Sequence, residues 1–389
     1  TTHRPLQHRP RAAAAAPAAA SQLRMRVARP LRLLRRGVAR YNSTQPQPGQ
    51  ITVGTAHLDY EVDEVRRVMD ITHTFVPPEM RGQGAAKQLC DAAYERARAE
   101  HLLVLPSCSY VSDNYAARNP DVHDVTLRSA DAPEGLFVGV TWLGVATVRL
   151  TDARRRNPLT RAVLNDLRYF LRECATMDPA ADLATTQVRA IVVSASGPVF
   201  SSGHDFRDFR GATRAEQREI VELCADVNAL LGEVPQPTVA AVAGKCVAGG
   251  LQLAASCDLV LAREDATFCL PGVKTGGFCH TPAVALGARV APRHALELAL
   301  LGDEIDASDA HRIGLANRLV AAREWPAAVD ATVAGLAQRF GKSMADGKRT
   351  FYEQLREPAL RDGRQPPFFS TSIRTFSKIT RAMSRLYRR

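Results

Sequence analysis

The sequence predicts an α/β protein of two folded units, a small one followed by a larger one. Three observations predict it. Strand-like runs alternate with helix-period segments from residue 51 to residue 355. The run "VRAIVVSA" (188–195) is almost wholly apolar, as expected of a strand buried on both faces. The polar, acidic stretch "DVHDVTLRSADAPEG" (121–135) ends in Pro and Gly and separates the two units. The boundaries expected are 51–128 for the first unit, 129–135 for a linker and 136–355 for the second unit.

Composition bounds the possibilities. A chain of 389 residues, 46% hydrophobic and 23% charged, is long enough for two or three domains of ordinary globular character. No apolar run approaches the roughly 18 residues of a membrane span. Ten Arg and no acid fall in residues 1–50, and five Arg with one Lys in residues 374–389, so the net charge of +11 resides at the ends. The remainder is mildly acidic, and nucleic-acid binding is not expected. The eight Cys are scattered without a C-x-x-C pair, which suggests a reducing compartment and no metal site.

Residues 1–50 read as a transit peptide or disordered leader. From Met25 onward, Arg26, Arg29, Arg32, Arg36 and Arg40 share one helical face, with Val27, Leu31, Leu34 and Val38 on the other. Arg-rich, acid-free and amphipathic is the composition of mitochondrial targeting, with cleavage expected just after Tyr41 and a matrix location.

In the first unit, Met69, Ile71, His73 and Phe75 alternate as in a strand that Pro77-Pro78 ends. Arg81-Gly82-Gln83-Gly84 turns into a helix carried by Leu89, Ala92, Ala93, Arg96 and Ala97, and Leu102–Leu105 returns as a strand. The unpaired N–H groups at such a helix start suit a pyrophosphate, although many β–α turns carry glycines without a ligand. Through "HTFVPPEMRGQGAAKQL" and "LPSCSYVSDNYAARNP", residues 51–128 resemble the short GNAT-type N-acetyltransferase-like family. The resemblance implies acetyl-CoA held by Arg81, Gly82, Gly84, Ala85 and Ala86. It puts Tyr115 either in the role of a thiolate-protonating Tyr or in that of a packed aromatic.

In the second unit, Leu136–Trp142 and Val145–Leu150 read as strands, Leu159–Cys174 as an amphipathic helix, Ala215–Leu231 as a helix and "PTVAAV" as a strand. Two loops that follow strands stand out, Ser201–Asp205 and Ala248–Gly250, the latter at a helix N-terminus. One backbone N–H from each, converging on one oxygen, would form an oxyanion hole suited to a thioester enolate. "GPVFSSGHDF", "VAGKCVAGGLQLAASCDLVLAREDATFCLPGVKTG" and "ALELALLGDEIDASDAHRIGLANRLV" resemble the enoyl-CoA hydratase/isomerase (crotonase) superfamily over about 220 residues. That resemblance implies a spiral of ββα turns, a trimer, and a CoA thioester as substrate or non-covalent ligand.

It also assigns roles. The oxyanion donors fall on the backbone N–H groups of His204 and Gly249, and the hydratase's two catalytic glutamates on Gln252 and Gly272. Neither residue exchanges a proton, whereas hydration needs both a base and an acid. His280 lies where some relatives carry a catalytic Asp, and it is either a base or a residue packed at the start of a helix. Asp205 reads as a cap, and Asp258 as a structural hydrogen-bonding residue. Two functions follow: an enolate-stabilising acyl-CoA isomerase, hydrolase or decarboxylase, or a catalytically silent acyl-CoA binder or scaffold. Beyond Leu355 the resemblance weakens, and residues 356–389 read as a divergent basic tail.

Overall fold

The computed structural model describes residues 47–181 and 188–356. The leader up to residue 46 and the tail from residue 357 lie outside the described residues.

The first unit is a four-stranded sheet, β1 (Gln47–Val53), β2 (Ala56–Asp63), β3 (Val68–Phe75) and β4 (Leu103–Leu105), in sequential order. Helix α1 (Ala85–Ala99) crosses between β3 and β4, which is why those two strands are parallel and the others antiparallel. Leu89, Cys90, Ala93 and Ala97 line one stripe of α1 and pack on Leu58, Met69 and Ile71 of the sheet. β1 starts inside the stretch read as leader. Its Pro48 and Gly49 read as breakers, but Pro is tolerated on an edge strand, and β1 is one.

The second unit opens with β5 (Leu127–Asp131), β6 (Leu136–Thr141), β7 (Val145–Leu150), β8 (Pro158–Leu159) and α2 (Arg161–Ala175). Thr160 caps α2 by accepting from the Val163 N–H at 3.1 Å. Next come β9 (Ala190–Ala195), β10 (Val199–Ser201), β11 (Gly203–His204) and α3 (Arg214–Glu233). Thr213 and Glu216 start α3 with a reciprocal capping box. Then follow β12 (Thr238–Val242), β13 (Lys245–Val247), α4 (Gly249–Ser256), β14 (Leu259–Arg263), β15 (Thr267–Cys269) and α5 (His280–Gly287). The chain continues through α6 (Pro292–Leu301), β16 (Ile305–Asp306), α7 (Ala307–Arg312), β17 (Arg318–Val320), α8 (Trp325–Arg339) and α9 (Lys342–Arg356).

A seven-stranded sheet runs β17-β14-β12-β9-β7-β6-β5, parallel from β17 to β7 and antiparallel beyond. β10, β13 and β15 form a second, shorter parallel sheet that the antiparallel β16 closes. Each turn of the chain lays a long strand in the first sheet, a short one outside it and then a helix: β7, β8, α2; β9, β10, α3; β12, β13, α4; β14, β15, α5. This is the expected ββα spiral. Its main core packs Val138, Val148, Ile191 and Val193 against Leu167, Phe170, Val227 and Leu251, and α8 covers the opposite face through Val333 and Ala337.

The expected linker, 129–135, is partly strand. β5 pairs antiparallel with β6, and Leu127 is buried against Val68, Ala132 and Phe137, so both units meet across it. Its polar residues concealed it, because an edge strand needs few apolar side chains. The units are also tied by Ser196 Oγ and Arg149 Nη1, which donate to the carbonyls of Val65 and Arg66.

Candidate functional site

The two loops singled out in the sequence meet. Asn157 donates to the carbonyls of Ser196 (2.8 Å) and Val199 (2.7 Å), and Ser201 Oγ donates to the Asn157 carbonyl at 2.8 Å, which fixes the turn into Gly203–His204. The facing turn is held by the Ala248 N–H donating to the Cys269 carbonyl at 3.0 Å. Ala248 has φ 48° and ψ −116°, a conformation that costs a non-glycine residue about 1–3 kcal/mol. Gly249 then opens α4, where an N–H has no intrahelical acceptor.

Glycine is required for this approach. A Cβ on Gly203, whose φ is +86°, would lie 2.9 Å from the Gly249 nitrogen. One on Gly250 would lie 2.6 Å from Ser201 Cβ and 2.7 Å from its carbonyl oxygen. Gly250→Ala is therefore expected to cost about 1–3 kcal/mol through overpacking, measurable by urea denaturation. At Gly249 a Cβ would sit 3.5 Å from both the His204 nitrogen and His204 Cδ2, so the two candidate N–H donors are neighbours.

Around them, Gln252 is 5% exposed, and its Oε1 accepts from Thr281 Oγ1 at 3.0 Å. Gly272 is closed over: a Cβ there would meet Cys279 N and Sγ at 2.9 Å. His280 is exposed at the first position of α5, and Thr281, its neighbour, contacts Gln252 in its place. The Asp205 carboxylate accepts from the Arg207 N–H at 3.0 Å and pairs with the Arg155 and Arg207 guanidinium groups. These three line an open cavity of about 380 Å³ with Asp152, Thr160 and Asp208. Sequence reading missed Thr281, Cys279, Arg155 and Arg207. Only the run of three Arg at 154–156 carried a local signal.

The His204 ring stands edge-on to Phe209 at 5.6 Å, with Nδ1 buried and without a hydrogen-bond partner among the described residues. Burial lowers its pKa, against a smaller upward pull from Asp208. The folded state therefore resists protonation: its stability is full above the unfolded histidine value and declines as pH falls through the folded one. Tm measured from pH 7.5 to 5 is expected to fall less steeply for His204→Asn than for the wild type.

In the first unit, Gly82 (φ +75°) and Gly84 (φ +82°) take left-handed conformations ahead of α1, with open space where side chains would stand. Ala85 and Ala86 begin the helix, and Arg81 is exposed with its Nε donating to the Val76 carbonyl at 3.2 Å. Tyr115 is a packed aromatic. It is buried and stacked on Tyr94 at 5.3 Å, and its hydroxyl donates to Asp91 Oδ1 at 2.6 Å. Among the described residues no helix is long and apolar enough to cross a membrane, and no group of three or more His, Cys, Asp or Glu could hold a metal.

Comparison with known proteins matches residues 142–378 to the enoyl-CoA hydratase/isomerase family and residues 50–125 to the GCN5-related N-acetyl-transferase family. The chain is 39% identical over 214 residues to the mitochondrial enoyl-CoA hydratase domain-containing protein 3 of Rattus norvegicus, covering 54% of this chain and 68% of that one. The crystal structure of the human protein of that name superposes with a TM-score of 0.53 at 32% identity, over 58% of this chain and 85% of the other. An enoyl-CoA hydratase of Mycobacterium smegmatis gives 0.54 at 33% identity, over 58% and 85%.

Proposed function

The chain belongs to the enoyl-CoA hydratase/isomerase family, and from that premise we propose that it binds acyl-CoA thioesters and stabilises their enolates without being a hydratase. The observation that carries this reading is the meeting of His204 and Gly249 at the start of α4, beside an amide at 252 and a bare glycine at 272. Two N–H groups aimed at one thioester oxygen would hold the charge that develops when C2 becomes carbanionic.

Water addition needs a proton taken from water and another given to C2, typically worth about 10²–10⁴ in rate for each group. Gln252 supplies neither, and Gly272 has no side chain. The expected result is binding of an acyl-CoA panel by the purified protein with negligible hydration of crotonyl-CoA. Hydration at ordinary enzymatic rates would overturn the reading. The occupation of the space beside Gly272 by Cys279 favours a second reading, a silent acyl-CoA binder or scaffold in lipid metabolism. Turnover of any thioester in the same panel separates the two.

The remaining parts of the reading follow the family. The Arg81–Ala86 turn is proposed to take acetyl-CoA, its open left-handed glycines leaving room for a pyrophosphate. Trimer formation is supported by Val284, Leu296 and Leu300, which are 51–66% exposed on α5 and α6. A mitochondrial location is supported by the names of the relatives, and the matrix is the compartment proposed.

A further inference from the structure

Neither unit opens without leaving the other unsatisfied at the seam between them. β4 pairs with β3 on one edge, and on its other edge Val104 bridges to Thr126 in parallel, its N–H donating to the Val125 carbonyl at 2.8 Å. Thr126 is fully buried and serves both sides. Its hydroxyl donates to the Val122 carbonyl at 2.6 Å and is hydrogen-bonded to the Tyr94 hydroxyl of α1 at 3.0 Å. Its carbonyl accepts from the Trp142 N–H, just beyond β6, at 2.9 Å. Leu127 and Phe137 of the second unit close over Val68, Leu103 and Leu105 of the first. The turn between β2 and β3 is held separately, by Arg149 of β7 and by Ser196. If the small unit opened alone, it would bare an edge strand and an apolar cluster, and the Trp142 N–H and the Arg149 guanidinium would each lose an acceptor.

We infer that the two units open as one cooperative body, so that a ligand held at the Arg81–Ala86 turn stabilises the acyl-CoA unit as well as its own. The ligand half of this inference rests on the acetyl-CoA reading above. Helix α1 is the connecting element. Its N-terminal end is the turn that would take the pyrophosphate. Its other end is tied to the seam by Arg98, which pairs with Asp124 at 2.8 Å, and its middle by Tyr94. A ligand that binds only the folded chain lowers the population of the open one, and in a cooperative body that change reaches every buried group.

Cys90 on α1 and Cys246 on β13 are fully buried free thiols, one in each unit, and report the opening of each. The test exposes the purified full chain to iodoacetamide over a urea series and quantifies the labelled peptides by mass. Both thiols are expected to become reactive at the same urea midpoint. At low urea, where labelling tracks the open population, acetyl-CoA at 100 times its dissociation constant should slow both about a hundredfold. Leu89→Ala in α1 and Leu164→Ala in α2 each remove a buried side chain from one unit. Each should speed labelling at both thiols by the same factor, at least about tenfold. Because the second unit also takes CoA thioesters in the reading above, Gly84→Val is the control. It puts a β-branched side chain at φ +82° in the turn, so protection, taken as the ratio of rates without and with acetyl-CoA, should vanish at both thiols.

Two separate midpoints, or a Leu89→Ala protein in which Cys90 alone labels faster, would overturn the inference. Protection of Cys90 alone by acetyl-CoA, or protection of Cys246 that survives in Gly84→Val, would overturn it as well. Protection of neither thiol would remove the acetyl-CoA reading and the ligand half with it, while coincident midpoints and reciprocal effects of the two Leu→Ala variants would still establish the single body.

Discussion

Gly249→Pro is expected to lower turnover of whichever acyl-CoA the protein processes by about 10²–10³, the usual loss for one oxyanion donor, or about 2.7–4 kcal/mol. The substitution removes the N–H itself. It falls at the first residue of α4, the helical position where Pro is best tolerated, so the helix survives. The strain falls on Ala248, whose φ of 48° and ψ of −116° lie outside the extended region that a residue before Pro prefers. Circular dichroism and a melting curve therefore accompany the kinetics. Gly249→Ala is the companion, because its Cβ meets the nearest atoms at 3.4–3.5 Å, an ordinary contact, and stands in the space before the His204 nitrogen. CoA affinity should change little in either variant, because each substitution alters only the turn that would hold the thioester oxygen. A folded Gly249→Pro protein with unchanged turnover and unchanged acyl-CoA binding would remove this loop from the site.

Much of the architecture was legible because the relevant signals are local. The run at 188–195, the helix-period segment Ala215–Leu231 and the Gly-Gly pair at 249–250 each specify their own backbone, and each forms the expected element. The elements that escaped notice are those whose identity depends on position in a sheet. β1 and β5 are edge strands, and an edge strand can carry Pro, Gly and acids that read as loop. The candidate site divides in the same way. His204 and Gly249 were visible as strand–loop–glycine patterns, and the sheet brings them together. The roles of Gln252 and Gly272 depend on partners that no spacing rule supplies: Thr281 lies 29 residues from Gln252, and Cys279 reaches Gly272 only because the intervening chain folds back. His280 drew notice as a titratable residue near the right place, but the next residue makes the contact, a one-residue difference that periodicity does not resolve at a helix start.

The largest stability effect is expected at Asp258. Its carboxylate accepts from the Thr238 N–H at 2.7 Å, the Thr238 hydroxyl at 3.1 Å and the Tyr352 hydroxyl at 2.8 Å, and pairs with Lys348 Nζ at 2.7 Å. Both partners of the ion pair are largely buried, with side-chain exposures of 10% for Lys348 and 16% for Asp258. The cluster joins β12, β14 and α9, and α9 is the last described helix. Asp258→Ala leaves the buried Lys348 ammonium without its counter-ion, with only the Leu231 and Gln236 carbonyls as acceptors at 3.2 and 2.8 Å, a change that typically costs about 3–5 kcal/mol. Lys348→Met is expected to cost less, because Asp258 keeps three donors and the new side chain is apolar. The pH dependence distinguishes this from simple loss of packing. Burial lowers the Lys348 pKa, and the Asp258 charge opposes that shift. Without Asp258 the folded value falls further below the unfolded one, so stability is regained as pH rises toward the unfolded lysine value and lost as pH falls through the folded value. Urea denaturation of Asp258→Ala should therefore show a smaller deficit against the wild type at pH 9.5 than at pH 7, while Lys348→Met, which lacks the titrating group, shows no such recovery. A deficit for Asp258→Ala that does not depend on pH would mean that the lost Thr238 and Tyr352 hydrogen bonds, rather than the stranded ammonium, carry the effect.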